Sequence, residues 1–350
     1  MTTWYYKDYQ RWIKDGCKVN DKVIELHISG YKLINISENI GNLINLQKLY
    51  CHDNKLIKLP KTLGNLINLH ELNCYNNKLT KLPKTLSNLI NLQTLSSCNN
   101  KLTKLPETLG NLINLQELDC AINNLTKLPK TLGNLINLQK LNCSFNELTE
   151  LPKTISNLIN LQKLNCSNNE LTELPKTIYN LVKLKKLNCG YNKLTKLPET
   201  LGNLINLQIL YCLDNKLTKL PKTVGNLINL HELNCYNNQL TELPISIIKL
   251  IHIEKIYYDK NIKLPIILQR FINRIENNDV HNNSIQTSLL DSINNLLLET
   301  ITKDINLIDD NILDNKTKSI IYNYVDDKTV GNLLINFEEL LVYVLEKIEN

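Results

Sequence analysis

Ten cysteines are the most reactive side chains in this 350-residue sequence. Eight of them (Cys51, Cys74, Cys120, Cys143, Cys166, Cys189, Cys212 and Cys235) keep one spacing of 23 residues, and Ser97 fills the single gap, with Cys98 beside it. Thiolates bind soft metals, exchange disulfides and form thioesters. The pattern argues against each use. The sequence holds no C-x-x-C pair and no Cys/His cluster at zinc spacing. Thiols at equivalent points of stacked parallel strands aim alike, which is poor geometry for a bridge. A free cysteine otherwise packs as a small hydrophobe. The ladder is therefore expected to lie in the core, in a protein of a reducing compartment. Cys17 and Cys98 stand off the ladder and are the two thiols expected to react, Cys98 facing outward.

Other catalytic groupings are missing from the sequence. It contains no phosphate-binding loop of the Walker type, no kinase signature, no G-x-S-x-G and no H-E-x-x-H. Asp309, Asp310, Asp326 and Asp327 could supply an acid and a base, but helix caps and solvated loops account for them. Cys235 is the last cysteine, so the C-terminal 85 residues cannot form a thioester. The expectation is a non-enzymatic protein with no cofactor, metal or small-molecule substrate.

What positions these residues is a repeat. Prolines 60, 83, 106, 129, 152, 175, 198, 221 and 244 are each 23 residues apart, and Pro265 follows 21 later. Asn54, Asn77, Asn100, Asn123, Asn146, Asn169, Asn192, Asn215, Asn238 and Asn261 keep the 23-residue step throughout. Residues 161–183 read LQKLNCSNNELTELPKTIYNLVK, with the skeleton LxxLxCxxNxLTxLPxxI. Between about residues 23 and 265 the chain resembles the 23-residue class of leucine-rich repeats, the Ras-suppressor and erbin-like group. That resemblance implies an α/β solenoid, a horseshoe with a parallel concave sheet of about eleven short strands. The physics agrees. Alternation puts Leu164 and Cys166 inward and Lys163, Asn165 and Ser167 outward. Each Asn is expected to satisfy backbone groups at a buried bend. Proline suits the first turn of a short helical or 3₁₀ stretch. No unit buries its apolar face alone, so stability comes from stacking. The first unit departs from the pattern, with Tyr31 where asparagine belongs.

The NLINL return segments hardly vary within the chain, whereas outward strand positions do. The central outward column includes Tyr50, Asp119, Tyr211 and Tyr257, and the next includes His52, Tyr75, Cys98, Ala121, Ser144, Ser167, Gly190, Leu213 and Tyr236. Ile122, Phe145 and Tyr191 lie nearer the rim. Two candidate binding clusters follow, Tyr50/His52/Tyr75 and Tyr191/Tyr211/Leu213/Tyr236/Tyr257. Tyrosine offers large contact area and a polar tip at little entropic cost, although it also simply suits a strand surface. The concave face is expected to bind a protein partner.

Residues up to 265 carry 33 basic and 20 acidic side chains, and the remainder 7 and 14, giving net charges of +13 and −7 within the total of +6. Lysine columns such as Lys58/Lys81/Lys104/Lys127 could attract nucleic acid or an anionic membrane. Glu147, Glu150, Glu170 and Glu173 interrupt these columns, and arginine, the better phosphate ligand, occurs only at Arg11, Arg270 and Arg274. With one alanine, Ala121, and abundant Asn, Lys and Ile, the composition matches an AT-rich genome. Solvated edge charge is the better account.

Residues 1–22 read as a helical cap, with Trp4, Tyr5, Tyr9, Trp12 and Ile13 on one helical face and Gly16 ending it. Residues 266–350 read as a C-terminal all-α domain or extended cap: a short helix over 266–275 covering the last repeat, apolar helical spacing over 285–301, and a final helix over 337–348. Such a tail could recruit a second partner. Its segments VHNNSIQTSLLDSINNLL and DDKTVGNLLINFEELLVYVLEKIE resemble tails that accompany these repeats in proteins of giant amoeba-infecting DNA viruses, which implies no activity. The chain shows no secretory signal and no bilayer-spanning run. An intracellular location is expected, cytoplasmic, in the host if viral.

Overall fold

A computed structural model describes residues 2–276. Each repeat forms one short strand, from β2 (Val23–His27) and β3 (Lys48–Tyr50) to β12 (Lys255–Tyr257). The strands pair in parallel and in chain order, so the sheet grows by one repeat at a time. Register follows the 23-residue step, with Leu141 beside Leu164 and Leu164 beside Leu187. Behind the sheet each unit returns through a five-residue 3₁₀ helix such as Lys130–Asn134, which buries Leu132. Leu118, Cys120, Leu125, Leu132, Leu135 and Leu138 are all essentially inaccessible, and equivalent positions of successive repeats stack into one continuous core.

The asparagine ladder is what allows so apolar a unit to bend. Asn123 Nδ2 donates to the carbonyls of Ser97, Cys120 and Ala121 at 3.0–3.1 Å, while its Oδ1 accepts from Leu102 N at 2.9 Å. One side chain thus satisfies four backbone groups in two adjacent repeats, groups whose burial without partners would cost about 1–3 kcal/mol each. The arrangement recurs from Asn54 to Asn238. Asn261 keeps the spacing but is exposed. There Asp259 takes over, its Oδ1 and Oδ2 accepting from Asn237 N and Asn238 N at 2.9 and 3.1 Å.

Two local expectations need correction. Proline lies one residue before the 3₁₀ helix and not within its first turn: Pro129 is extended (φ −63°, ψ 143°), and its carbonyl accepts from Leu132 N. Its ring presets the extended entry, and its missing N–H leaves nothing unsatisfied. The N-terminal cap is also not all helix. Trp4 and Tyr5 belong to a strand, β1 (Thr2–Tyr5), paired in parallel with β2, which makes the sheet twelve-stranded. An exposed sheet edge offers unpaired backbone groups, and β1 takes them up. Helix α1 (Tyr6–Lys14) follows, burying Tyr9 and Trp12 but leaving Tyr5 and Ile13 exposed, and Gly16 (φ +84°) turns the chain beyond it. Trp12 Nε1 donates to Lys18 O at 2.7 Å, and Ser37 N to Tyr9 Oη at 2.9 Å. Tyr31 stacks on Tyr6 of the cap at 4.0 Å, which accounts for the departure in the first unit.

A second unit begins at Pro265, and of it the described part is helix α2 (Ile266–Glu276). The helices expected over 285–301 and 337–348 lie outside the described residues.

Candidate functional site

The cysteine ladder is core. The eight ladder cysteines are buried and free, and seven of their thiols, all but that of Cys212, are seen to donate to a carbonyl of the next strand, as Cys166 Sγ does to Asn188 O at 3.4 Å. Ser97 keeps that contact, to Asp119 O at 3.3 Å. Burial pushes the Cys166 thiol up to about 12 and the others upward too. The two off-ladder thiols differ in exposure. Cys17, within the cap, is buried, and Cys98 is half-buried with its thiol raised to about 11, first by burial and then by the Asp119 carboxylate. Nucleophilic thiols need the opposite environment. Among the described residues, no group of His, Cys, Asp and Glu could hold a metal ion.

The outward sheet face gathers the aromatic residues in two different ways. Toward the start they are spent on each other. His27 stacks between Tyr5 and Tyr50, and His52 lies flat on Tyr75 at 4.5 Å and 8°. Tyr50 Oη donates to Glu71 Oε2 and Tyr75 Oη to Asp53 Oδ2, both at 3.0 Å. Asp53 also meets His52 Nδ1 at 2.8 Å, and its carboxyl is held below the ordinary range by its hydrogen bonds to Asn76 and His52. Toward the end the rings stay open. Among the described residues no ring of Tyr191, Tyr211, Tyr236 or Tyr257 stacks on another, and Tyr191, Tyr236 and Tyr257 are each about half exposed. Tyr211 is held more firmly, with Lys186 Nζ 5.1 Å from its ring centre and its hydroxyl pushed to about 12 by burial and Glu232. Leu213 lies on Gly190, where a Cβ would approach its Cδ2 to 2.6 Å.

Between the two clusters the face changes character. Ala121, Ser144, Ser167 and Gly190 were expected to face outward, yet they are buried. They are small enough to be covered by the columns on either side. One of these columns is amide: Asn165 and Asn188, each partly exposed, accept through Oδ1 from the backbone N–H two residues on. The other column holds the rim residues Ile122, Phe145 and Tyr191, and its backbone conformation was not legible in the sequence. The residue before each ladder asparagine has a left-handed backbone, with φ between +50° and +54° from Asp53 to Asn237. Asn and Asp tolerate that conformation, and they occupy Asp53, Asn76, Asn99, Asn168, Asp214 and Asn237. The exceptions are Ile122, Phe145 and Tyr191, all exposed. A β-branched or bulky side chain there is strained, and the signal in the sequence was an apolar residue where Asn or Asp otherwise stands.

The lysine columns stay on the surface. Salt bridges join Lys48 to Glu25, Lys140 to Glu117 and Lys193 to Glu170. No described helix is long and apolar enough to cross a membrane.

This geometry has known counterparts. The model of the leucine-rich repeat region matches residues 22–149 and 129–216, and that of the single leucine-rich repeat matches residues 229–250. The chain belongs to the leucine-rich-repeat family. Among solved structures it is similar to a leucine-rich-repeat protein of Leptospira interrogans (34% identity, TM-score 0.59, covering 70% of this chain and 68% of that one). It is also similar to the ectodomain of the Arabidopsis thaliana receptor kinase GASSHO1/SCHENGEN3, solved with Casparian strip integrity factor 2 (33%, TM-score 0.59, 64% of this chain and 28% of that one). The functional domain of InlJ from Listeria monocytogenes, which includes a cysteine ladder, matches at 31% identity and TM-score 0.50, covering 65% of this chain and 52% of that one. No curated protein sequence matches the chain. The matched families are repeat families, and none is catalytic.

Proposed function

We propose that the protein is a non-enzymatic scaffold that binds a protein partner on the concave face of its sheet, centred on repeats carrying Ile122, Phe145 and Tyr191 and continuing to Leu213, Tyr236 and Tyr257. The observation that carries this reading is the set of exposed apolar side chains on left-handed backbone. Strain of this kind costs about 1–3 kcal/mol per residue and gathers where function demands it. Neighbouring repeats use Asn or Asp at the same point, so the fold itself does not require Ile, Phe or Tyr. The amide column of Asn165 and Asn188 beside them supplies donors for the backbone carbonyls of a polypeptide. Tyr50, His52 and Tyr75, already paired with one another, are the weaker part of the proposed surface. That relatives such as the Arabidopsis receptor ectodomain were solved with a bound factor supports a protein or peptide partner. We further read the repeats as the 23-residue class, on the unbroken asparagine step, and residues 266–350 as a helical unit. Ten free cysteines support a reducing compartment.

The test compares partner capture by the intact chain, an Ile122→Asn/Phe145→Asn variant and a Tyr211→Ala/Tyr236→Ala/Tyr257→Ala variant. The asparagine variant is expected to be more stable than the parent by on the order of 1 kcal/mol per site, because strain is relieved. It should nevertheless lose the partner. Stability gained with capture unchanged would overturn the choice of face. Capture lost only as salt rises would point to the lysine edge.

A further inference from the structure

A second surface runs along the edge at which the chain enters each strand. In every full repeat the turn between the 3₁₀ helix and the strand presents one aliphatic side chain to solvent, as Ile67 does between Lys61–Asn65 and Glu71–Asn73. The row runs from Ile44 through Ile113, Ile136 and Ile159 to Ile251, one residue per repeat, with Val182 the single substitution, and each is between 41% and 55% exposed; its stretch flanked by asparagines, Ile44 to Ile228, is centred on Ile136. These residues do nothing for the core, since Leu66 and Leu69 on either side of Ile67 are the ones buried. At a strand spacing of about 4.8 Å the eight steps extend roughly 38 Å. The row is also rigid. Asn91 Nδ2 donates to Ile67 O, Asn137 to Ile113 O and Asn160 to Ile136 O, each at 2.9 Å, so the backbone beneath the row is satisfied within the chain. What remains on offer is aliphatic surface flanked by neutral amides.

We propose that this row is the contact face of a homodimer, in which the rows of two copies pack antiparallel about a two-fold axis at Ile136. Three observations select a second copy as the occupant. A regular comb of side chains about 4.8 Å apart is matched tooth for tooth over its whole length only by another stack of the same period, and this chain carries one. The exposed area, on the order of 10³ Å² per copy, reaches the scale of the roughly 800 Å² that each side of a standard stable interface buries. The charges also permit it. The strip's cations lie in one repeat, Lys183, whose Nζ is bound to Asn160 Oδ1 at 2.8 Å, and the exposed Lys185 beside it. Antiparallel pairing about Ile136 sets Lys183 opposite the repeat of Asn91, whereas parallel pairing sets it against its own copy. Beyond Ile228 the strip loses its neutrality, with Lys249 and His252 in place of the flanking asparagines. Large exposed apolar strips on soluble proteins mark such contacts, and a preorganised one loses little entropy on docking.

Sedimentation equilibrium of the full chain tests this. The expected species is twice the 40.4 kDa chain. An Ile113→Asn/Ile136→Asn/Ile159→Asn variant should be monomeric with an unchanged circular dichroism spectrum, its dissociation constant raised at least 100-fold. Raising salt should tighten the dimer, because the repeats carry net positive charge. Ile122→Asn/Phe145→Asn should remain dimeric, which separates this proposal from the concave-face reading. The second measurement uses a short bis-maleimide. Ile136→Cys should cross-link to itself, and Ile44→Cys only when mixed with Ile228→Cys. A monomer at high micromolar concentration, a dimer that survives the triple substitution, or self-cross-linking of Ile44→Cys would each overturn the proposal.

Discussion

A buried thiol and a buried amide do opposite jobs in each repeat. The cysteine fills space where the strand leaves the sheet, and its proton goes to a carbonyl one repeat away. That makes the ladder sensitive to alkali. Burial pushes the Cys166 thiol of the folded chain from the ordinary value of 9.0 up to about 12. Between those values the unfolded chain has lost protons that the folded chain retains, so stability falls as pH rises. The contribution is complete below about pH 9 and is lost progressively above it. Urea midpoints should be level up to about pH 8 and then decline steeply, with a shallower decline for Cys143→Ser/Cys166→Ser. Ser97 shows that a hydroxyl is accommodated at this position. A midpoint independent of pH across that range would mean that the ladder is open to solvent.

The 3₁₀ helices are the elements that set how closely repeats approach behind the sheet, and glycine sets it for them. A Cβ at Gly110 would lie 2.4 Å from Thr131 O, and one at Gly133 2.4 Å from Thr154 O. Gly110→Ala is therefore expected to destabilise by about 1–3 kcal/mol, the cost of forcing a packed element apart. Ser87, Ser156 and Tyr179 occupy the same position in other repeats, which places the expected loss toward the lower end. A thermal midpoint equal to the parent's would show that this backbone yields freely. Element positions were legible in the sequence because period 23 fixed them all at once: strand, asparagine bend, proline and return recur, and stacking turns a repeated spacing into a register. What escaped was local backbone geometry. Alternation assigned Ser144 and Ser167 outward, but it takes no account of neighbours tall enough to cover a small side chain. It likewise could not show that Ile122 and Phe145 sit on left-handed backbone. The cap strand was hidden for a related reason. Trp4 and Tyr5 fit an apolar helical face, and only the unpaired edge of β2 draws them into the sheet.

At the scale of the whole solenoid, each repeat touches only its neighbours, so the ends decide how far order extends. The start is closed by β1 and by the buried Tyr9 and Trp12 of α1. The other end of the amide ladder is closed by one carboxylate. In interior repeats the left-handed residue and the asparagine after it donate to carbonyls of the next unit, as Asn99 N and Asn100 N do to Ala121 O and Ile122 O. At Asn237 and Asn238 the Asp259 side chain accepts instead. Asp259→Ala thus removes the acceptor for two N–H groups at once. Hydrogen exchange at Asn237 and Asn238 should accelerate by one to two orders of magnitude, matching a local loss of about 1.5–3 kcal/mol for hydrogen bonds to a charged group. Exchange at Asn99 and Asn100, six repeats away, should not change, because coupling in a stack decays through successive interfaces. Acceleration spread evenly along the chain would mean that the solenoid opens as a single cooperative body and that Asp259 supports all of it. Acceleration confined to the last repeats would make the carboxylate a local stop, leaving the stretch around Ile122 and Phe145 held by its own neighbours.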